Sequence, residues 1–224
     1  MKNSYTVEHV ENYLDLLYKK TSDERLAKSE IKTSILEKIK EASKITNLGV
    51  DELLNGLDFK PNDLTIESLE SFIAELRAIF WLRNFKFINI LPIQATNKGK
   101  QADFIATYKN KTYAVEVFCL TKANEQKKDS KLGVYINFNA KFICDFINKE
   151  NKKLQLDAMS NVDRKLLLCV ANSSPVIALN TADDFKSLIK QIYKSLDWGS
   201  PYFIGLLTGF QSADGLDDII YPSL

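Results

Sequence analysis

Two acids set in strand-like stretches are the residues of this chain best suited to chemistry. Asp103 stands in Gln101-Ala102-Asp103-Phe104, and Glu116 in Tyr113-Ala114-Val115-Glu116-Val117-Phe118. A short Lys109-Asn110-Lys111 turn separates the two stretches, which predicts a hairpin with the acids on neighbouring strands. Burying an unpaired polar group costs roughly 2–7 kcal/mol, and burying a charge costs more. A divalent metal ion would offset that cost, because hard cations such as Mg²⁺ prefer carboxylate oxygens. An ion pair would offset it too, with Arg77 or a lysine on the following helix as partner.

Other chemistry is narrowed by what the chain lacks. His9 is the sole histidine, so mechanisms that need two or more, including HExxH hydrolysis and most zinc catalysis, are excluded. Cys119, Cys144 and Cys169 lie in apolar runs without CxxC spacing and read as small buried hydrophobes in a reducing compartment. Asn172-Ser173-Ser174-Pro175 reads as a turn with no histidine near to activate a serine. The net charge is only +1, so nucleic-acid binding would need local clustering of the 30 lysines and arginines. The polar, charged N-terminus does not look like a signal peptide, and no run approaches the roughly 20 apolar residues of a membrane span. A soluble, cytoplasmic protein without membrane attachment is expected.

The elements that must position these acids follow from hydrophobic period. With 224 residues, 45% of them hydrophobic, the chain can build one fair-sized core with a helical appendage. Residues 1–62 read as an N-terminal helical region and residues 63–224 as an α/β domain. In the first region, Val10, Tyr13, Leu14, Leu16 and Leu17 form a stripe after Thr6. A second helix is predicted from near Ser22 to about Asn47, stopped by Gly49, and a short one around Asp51 to Leu54. In the second, Leu69, Phe72, Ile73, Leu76, Ile79 and Phe80 mark a helix over Thr65 to Asn84. Strands are predicted at Phe85 to Pro92, Ala102 to Tyr108 and Thr112 to Leu120, the last apolar on both faces and therefore central. A helix over Asn139 to Leu156, a strand over Lys165 to Val170, a helix over Thr181 to Ser195 and strands at Tyr202 to Leu207 and Asp218 to Tyr221 complete the pattern. Helix, three strands, helix, strand, helix, strand is an α/β sandwich with a mixed sheet.

This order and its acids resemble the PD-(D/E)xK phosphodiesterase superfamily, whose restriction-endonuclease-like core is a mixed central sheet flanked by helices. In that family a helix supplies a Glu, the second strand an Asp and the third strand an acid-x-Lys, around Mg²⁺ or Mn²⁺. The resemblance implies that Glu75, in Ala74-Glu75-Leu76-Arg77, is the helix acid, and that Asp103 and Glu116 are the strand acids. It spans about Ser68 to Val170 and, less closely, the following helix and strand. There are two departures. Ala102 replaces the Pro before the Asp, and Phe118 stands where the lysine belongs. Residues two apart in a strand share a face, so an ammonium at 118 would reach the same site as Glu116; Phe cannot supply one. The lysine could come instead from Lys122 just past the strand, or from Lys149 or Lys152 on the next helix, where Lys152 with Gln155 matches a pairing some members carry. Lys100 is a further candidate.

The implied function is a metal-dependent endonuclease acting on DNA. Asp103 and Glu116, with Glu75 for a second ion or its water, would hold Mg²⁺ or Mn²⁺ beside the scissile phosphate, and the ion would polarise the phosphoryl oxygen and lower the pKa of a bound water. Lys122 or Lys152 would complete the catalytic set. The lysine-rich stretch Lys122 to Lys131, with Lys98 and Lys100, could grip the backbone and make affinity fall with salt. A homodimer would bring the two sites that double-strand cleavage needs. Two other readings stand beside it. One is a catalytically inactive nuclease fold that binds nucleic acid or a protein partner; the other is an interaction protein working through its N-terminal helices.

Overall fold

The computed structural model describes residues 5–57, 59–93, 101–120, 140–171, 182–208 and 219–224. The chain opens with four helices, α1 (Val7–Thr21), α2 (Glu24–Ala27), α3 (Ser29–Thr46) and α4 (Val50–Gly56). Thr6 caps α1: its hydroxyl accepts the His9 N–H, and His9 Nδ1 accepts the Thr6 N–H at 3.1 Å. The single histidine is thus engaged at a helix end. The α1 stripe buries Val10, Tyr13, Leu14 and Leu17 but leaves Leu16 exposed. The helix expected from Ser22 to Asn47 divides at Lys28, whose backbone is extended. Its stop is Asn47, left-handed at φ 55°, a conformation Asn tolerates through local hydrogen bonding of its short polar side chain. Gly49 instead opens α4.

Helix α5 (Ile66–Asn84) begins where Thr65 accepts the Ser68 N–H at 3.3 Å. It buries Leu69, Phe72, Leu76 and Ile79, as its period predicts, and also Glu70 and Glu75. The N-terminal helices pack on the same side, since Val10, Tyr13 and Leu14 share one buried cluster with Phe72, Phe104 and Val115. Among the described residues, no helix is long and apolar enough to cross a membrane.

The sheet follows. Strands β1 (Ile88–Pro92), β2 (Phe104–Tyr108) and β3 (Lys111–Leu120) form an antiparallel meander. The β2–β3 turn is the two-residue Lys109-Asn110, both at positive φ (47° and 59°), and this twist suits a tight hairpin. Next come α6 (Ala140–Lys149), α7 (Lys152–Asp157) and β4 (Arg164–Ala171), which is parallel to β3. Then α8 (Ala182–Leu196) leads to β5 (Tyr202–Thr208), parallel to β4, and β6 (Ile219–Tyr221) closes antiparallel to β5. The six strands lie in chain order in one mixed sheet. β3 pairs on both edges, with β2 and β4, as a central strand does.

Alternation along β3 divides the interior. Tyr113, Val115 and Val117 face the layer of α5 and the N-terminal helices. Ala114, Phe118 and Leu120 face the layer of α6 and α8, with Phe142, Ile143, Ile189 and Ile192. The molecule is an α/β sandwich with helices on both faces of an open sheet.

Candidate active site around Glu116

Glu116 lies between Ala114 and Phe118 in the alternation, so it points into the layer of α6 and α8. Its side chain is only 1% exposed. A carboxylate that deep requires compensation, and it comes from an unexpected turn of the chain. The single helix predicted over Asn139 to Leu156 is two, interrupted at Glu150-Asn151. Asn151 takes a left-handed conformation (φ 55°, ψ 37°), and α7 restarts at Lys152. The redirected α7 packs against β3 and β4. Its first residue sends Lys152 Nζ to Glu116 Oε1 at 2.6 Å, with Val117 O at 3.4 Å.

Asp103 reaches the same place from the strand alongside. Its N–H donates to Val115 O at 3.0 Å, and its Oδ2 accepts the Val117 N–H at 2.7 Å. Backbone and carboxylate therefore hold Asp103 to the residues on either side of Glu116. Burial of Lys152 pulls its pKa down, but the charges of Glu116 and Asp103 and the hydrogen bond to Glu116 outweigh it, and the pKa ends above the ordinary lysine value. The ammonium stays protonated at neutral pH and feels both acids.

Phe118 lies beneath this group. Lys152 Nζ is 5.9 Å from its ring centre, at the limit of a cation–π contact, and the Phe146 ring is 6.1 Å away on another side. Gln155, one turn beyond Lys152, is buried, and its Oε1 has no hydrogen-bond partner among the described residues. Lys149 goes elsewhere: its Nζ stands 5.4 Å from the Phe146 ring. Lys98, Lys100, Lys122 and the stretch to Lys131 lie outside the described residues.

Glu75 is buried on α5, as is Glu70; the apolar residues of this helix belong to the layer opposite Phe118. Arg77 Nη1 donates to Ala171 O at 3.0 Å. Cys119 lies on β3 next to Phe118. Burial pushes its thiol pKa up, and the charges of Glu70, Arg77, Glu75 and Lys152 all act on it. Among the described residues, no three His, Cys, Asp or Glu side chains converge as one metal cluster.

The structure thus gathers three of the residues singled out from sequence: Asp103, Glu116 and Lys152. Glu75 lies on a different element, α5. Two features went unread. The Asp103–Val117 hydrogen bond has no sequence signal, whereas the helix break had one in Asn151. Comparison with protein-family models, with curated proteins and with solved structures found no match.

Proposed function

We propose that this chain is a metal-dependent endonuclease with a restriction-endonuclease-like core, hydrolysing DNA phosphodiester bonds with Mg²⁺ or Mn²⁺. The observation that carries the reading is the meeting of Asp103, just before β2, with the buried Glu116 of β3 and Lys152 of α7. The order of elements supports it: a helix, three antiparallel strands, two helices and a strand parallel to the third. The ion pair alone does not decide, because a purely structural salt bridge would make it too. The placement of a second carboxylate, Asp103, across the peptides beside Glu116 is what a structural pair does not need.

The donors fit the implied ion. Asp103 and Glu116 offer oxygen only, and Mg²⁺ is commonly held by one or two carboxylates together with water and substrate phosphate. The pair already attracts a cation, in the form of Lys152. When bound, the ion supplies Lewis-acid stabilisation of charge on the phosphoryl group. Asp103 is held in place by the Val117 N–H, and it and Glu116 are the residues that would hold the ion. Lys152 takes the part of the lysine absent at Phe118. Since it remains an ammonium, it stabilises developing negative charge and does not act as a general base. Phe118 and Phe146 exclude water on the sheet side. Glu75, buried on α5, is the remaining acid of the implied set, for a second ion or its water.

A homodimer would supply the two sites that cutting both strands of a duplex needs, and the three free cysteines suit a cytoplasmic setting. A second reading, binding of nucleic acid or a protein partner without hydrolysis, is favoured by Phe118 in the lysine position. The test is Mn²⁺- and Mg²⁺-dependent cleavage of plasmid and single-stranded DNA by the wild type, Asp103→Ala, Glu116→Ala and Lys152→Met. Cleavage by the wild type that is lost in all three variants supports the nuclease. Salt-sensitive DNA binding by folded protein that never cuts would overturn it in favour of the second reading.

A further inference from the structure

We propose that Lys152 is the resident cation of the Asp103–Glu116 pair, and that it gives up Glu116 Oε1 when a divalent ion is taken up, its ammonium then remaining over the Phe118 ring. The inference rests on the metal-site reading above and adds to it an exchange of cations. Glu116 is almost fully buried and has the ammonium at 2.6 Å, so the site satisfies its charge without metal. A divalent ion on the same carboxylate would lie within a few ångströms of that ammonium, and like charges at this range oppose each other strongly in a protein interior. The two cations are therefore antagonists, and by linkage removing one strengthens the binding of the other.

The surroundings allow the lysine to move. Lys152 is the first residue of a six-residue helix, next to the left-handed Asn151, and its side chain retains 16% exposure. Its stem has four rotatable bonds, and its head is a compact point charge. The Phe118 ring, 5.9 Å away, offers an attractive face for a cation that has left its carboxylate. An aromatic residue at 118 thereby has a function where a second lysine would add a competing charge.

The experiment measures Mn²⁺ binding by titration calorimetry and thermal shift on the full chain, with wild type, Lys152→Met and Asp103→Asn. Lys152→Met should bind Mn²⁺ at least about tenfold more tightly than wild type, and Mn²⁺ should raise its melting temperature more. If Lys152→Met does not fold, the wild type alone answers: an amine-acylating reagent, read by peptide mass spectrometry, should label Lys152 several-fold faster with Mg²⁺ than without. Unchanged or weaker Mn²⁺ binding in Lys152→Met, or Mg²⁺-independent labelling, while Asp103→Asn abolishes metal binding, would overturn the exchange and leave the metal site standing. No Mn²⁺ binding in wild type or Lys152→Met would overturn both.

Discussion

Lys152 Nζ and Glu116 Oε1 lie 2.6 Å apart although 36 positions separate the two residues in the chain. The contact joins a central strand to the first residue of a short helix, and the two partners differ sharply in access to solvent: Glu116 is 1% exposed and Lys152 16%. That difference governs what happens when either is changed.

Lys152→Met should cost more stability than Glu116→Gln. The substitution at 152 leaves a carboxylate that cannot reach water, and breaking a buried pair in this way costs about 3–5 kcal/mol. In Glu116→Gln the lysine can extend its flexible stem toward solvent, so the loss should fall to about 1–3 kcal/mol. Urea denaturation of both variants and of the double variant checks this. Equal losses in the two singles would show that the exposure difference is immaterial.

The lysine side of the pair should hold its charge until strongly alkaline conditions. The folded pKa of Lys152 lies above its ordinary value of 10.5. A raised lysine pKa adds stability that is fully present below the unfolded pKa and is lost as pH rises through the folded one. The lysine's contribution to wild-type stability should therefore be complete through neutral pH and fade only above about 10.5. Wild-type denaturation curves from neutral to alkaline pH test it; a loss complete well below pH 10 would contradict the assignment.

Asp103 has a structural and a chemical role that two substitutions separate. Asp103→Asn keeps an acceptor for the Val117 N–H and should lose about 1 kcal/mol, whereas Asp103→Ala leaves that N–H without its partner and should lose roughly 1–3 kcal/mol. Both remove the charge, so both should abolish Mn²⁺-dependent cleavage. Cleavage retained by Asp103→Asn would assign the residue a structural role alone.

Asn151 should matter through its backbone. Asn151→Gly should be close to neutral, because Gly adopts positive φ freely. Asn151→Val should cost about 1–2 kcal/mol and should also displace Lys152, lowering cleavage by about 10²–10³-fold, the scale of losing one preorganised charge-stabilising group. Chemical denaturation and single-turnover cleavage, measured side by side, would expose a variant that loses stability but keeps its rate.

By itself the sequence determined what depends on local pattern. The period of Leu69, Phe72, Leu76 and Ile79 specified α5, and the two-sided apolar run of 112–120 specified a central strand. The short Lys109-Asn110 turn specified the hairpin that brings Asp103 beside Glu116. Tertiary structure alone decided which cation meets Glu116. Arg77, Lys149 and Lys152 were equal on charge, and the choice turned on one left-handed residue at 151 that redirects α7. Hydrophobic period does not flag such a break, because Leu154 continues the α6 spacing although it is exposed while Leu156 is buried. Tertiary structure likewise decided that the apolar face of α5 packs on the other layer from Phe118, since helix period shows which residues are buried but not on which side of a sheet the helix lies. Local propensity selects elements, and the chemistry of this site depends on long-range packing that brings two strands and a short helix to one point.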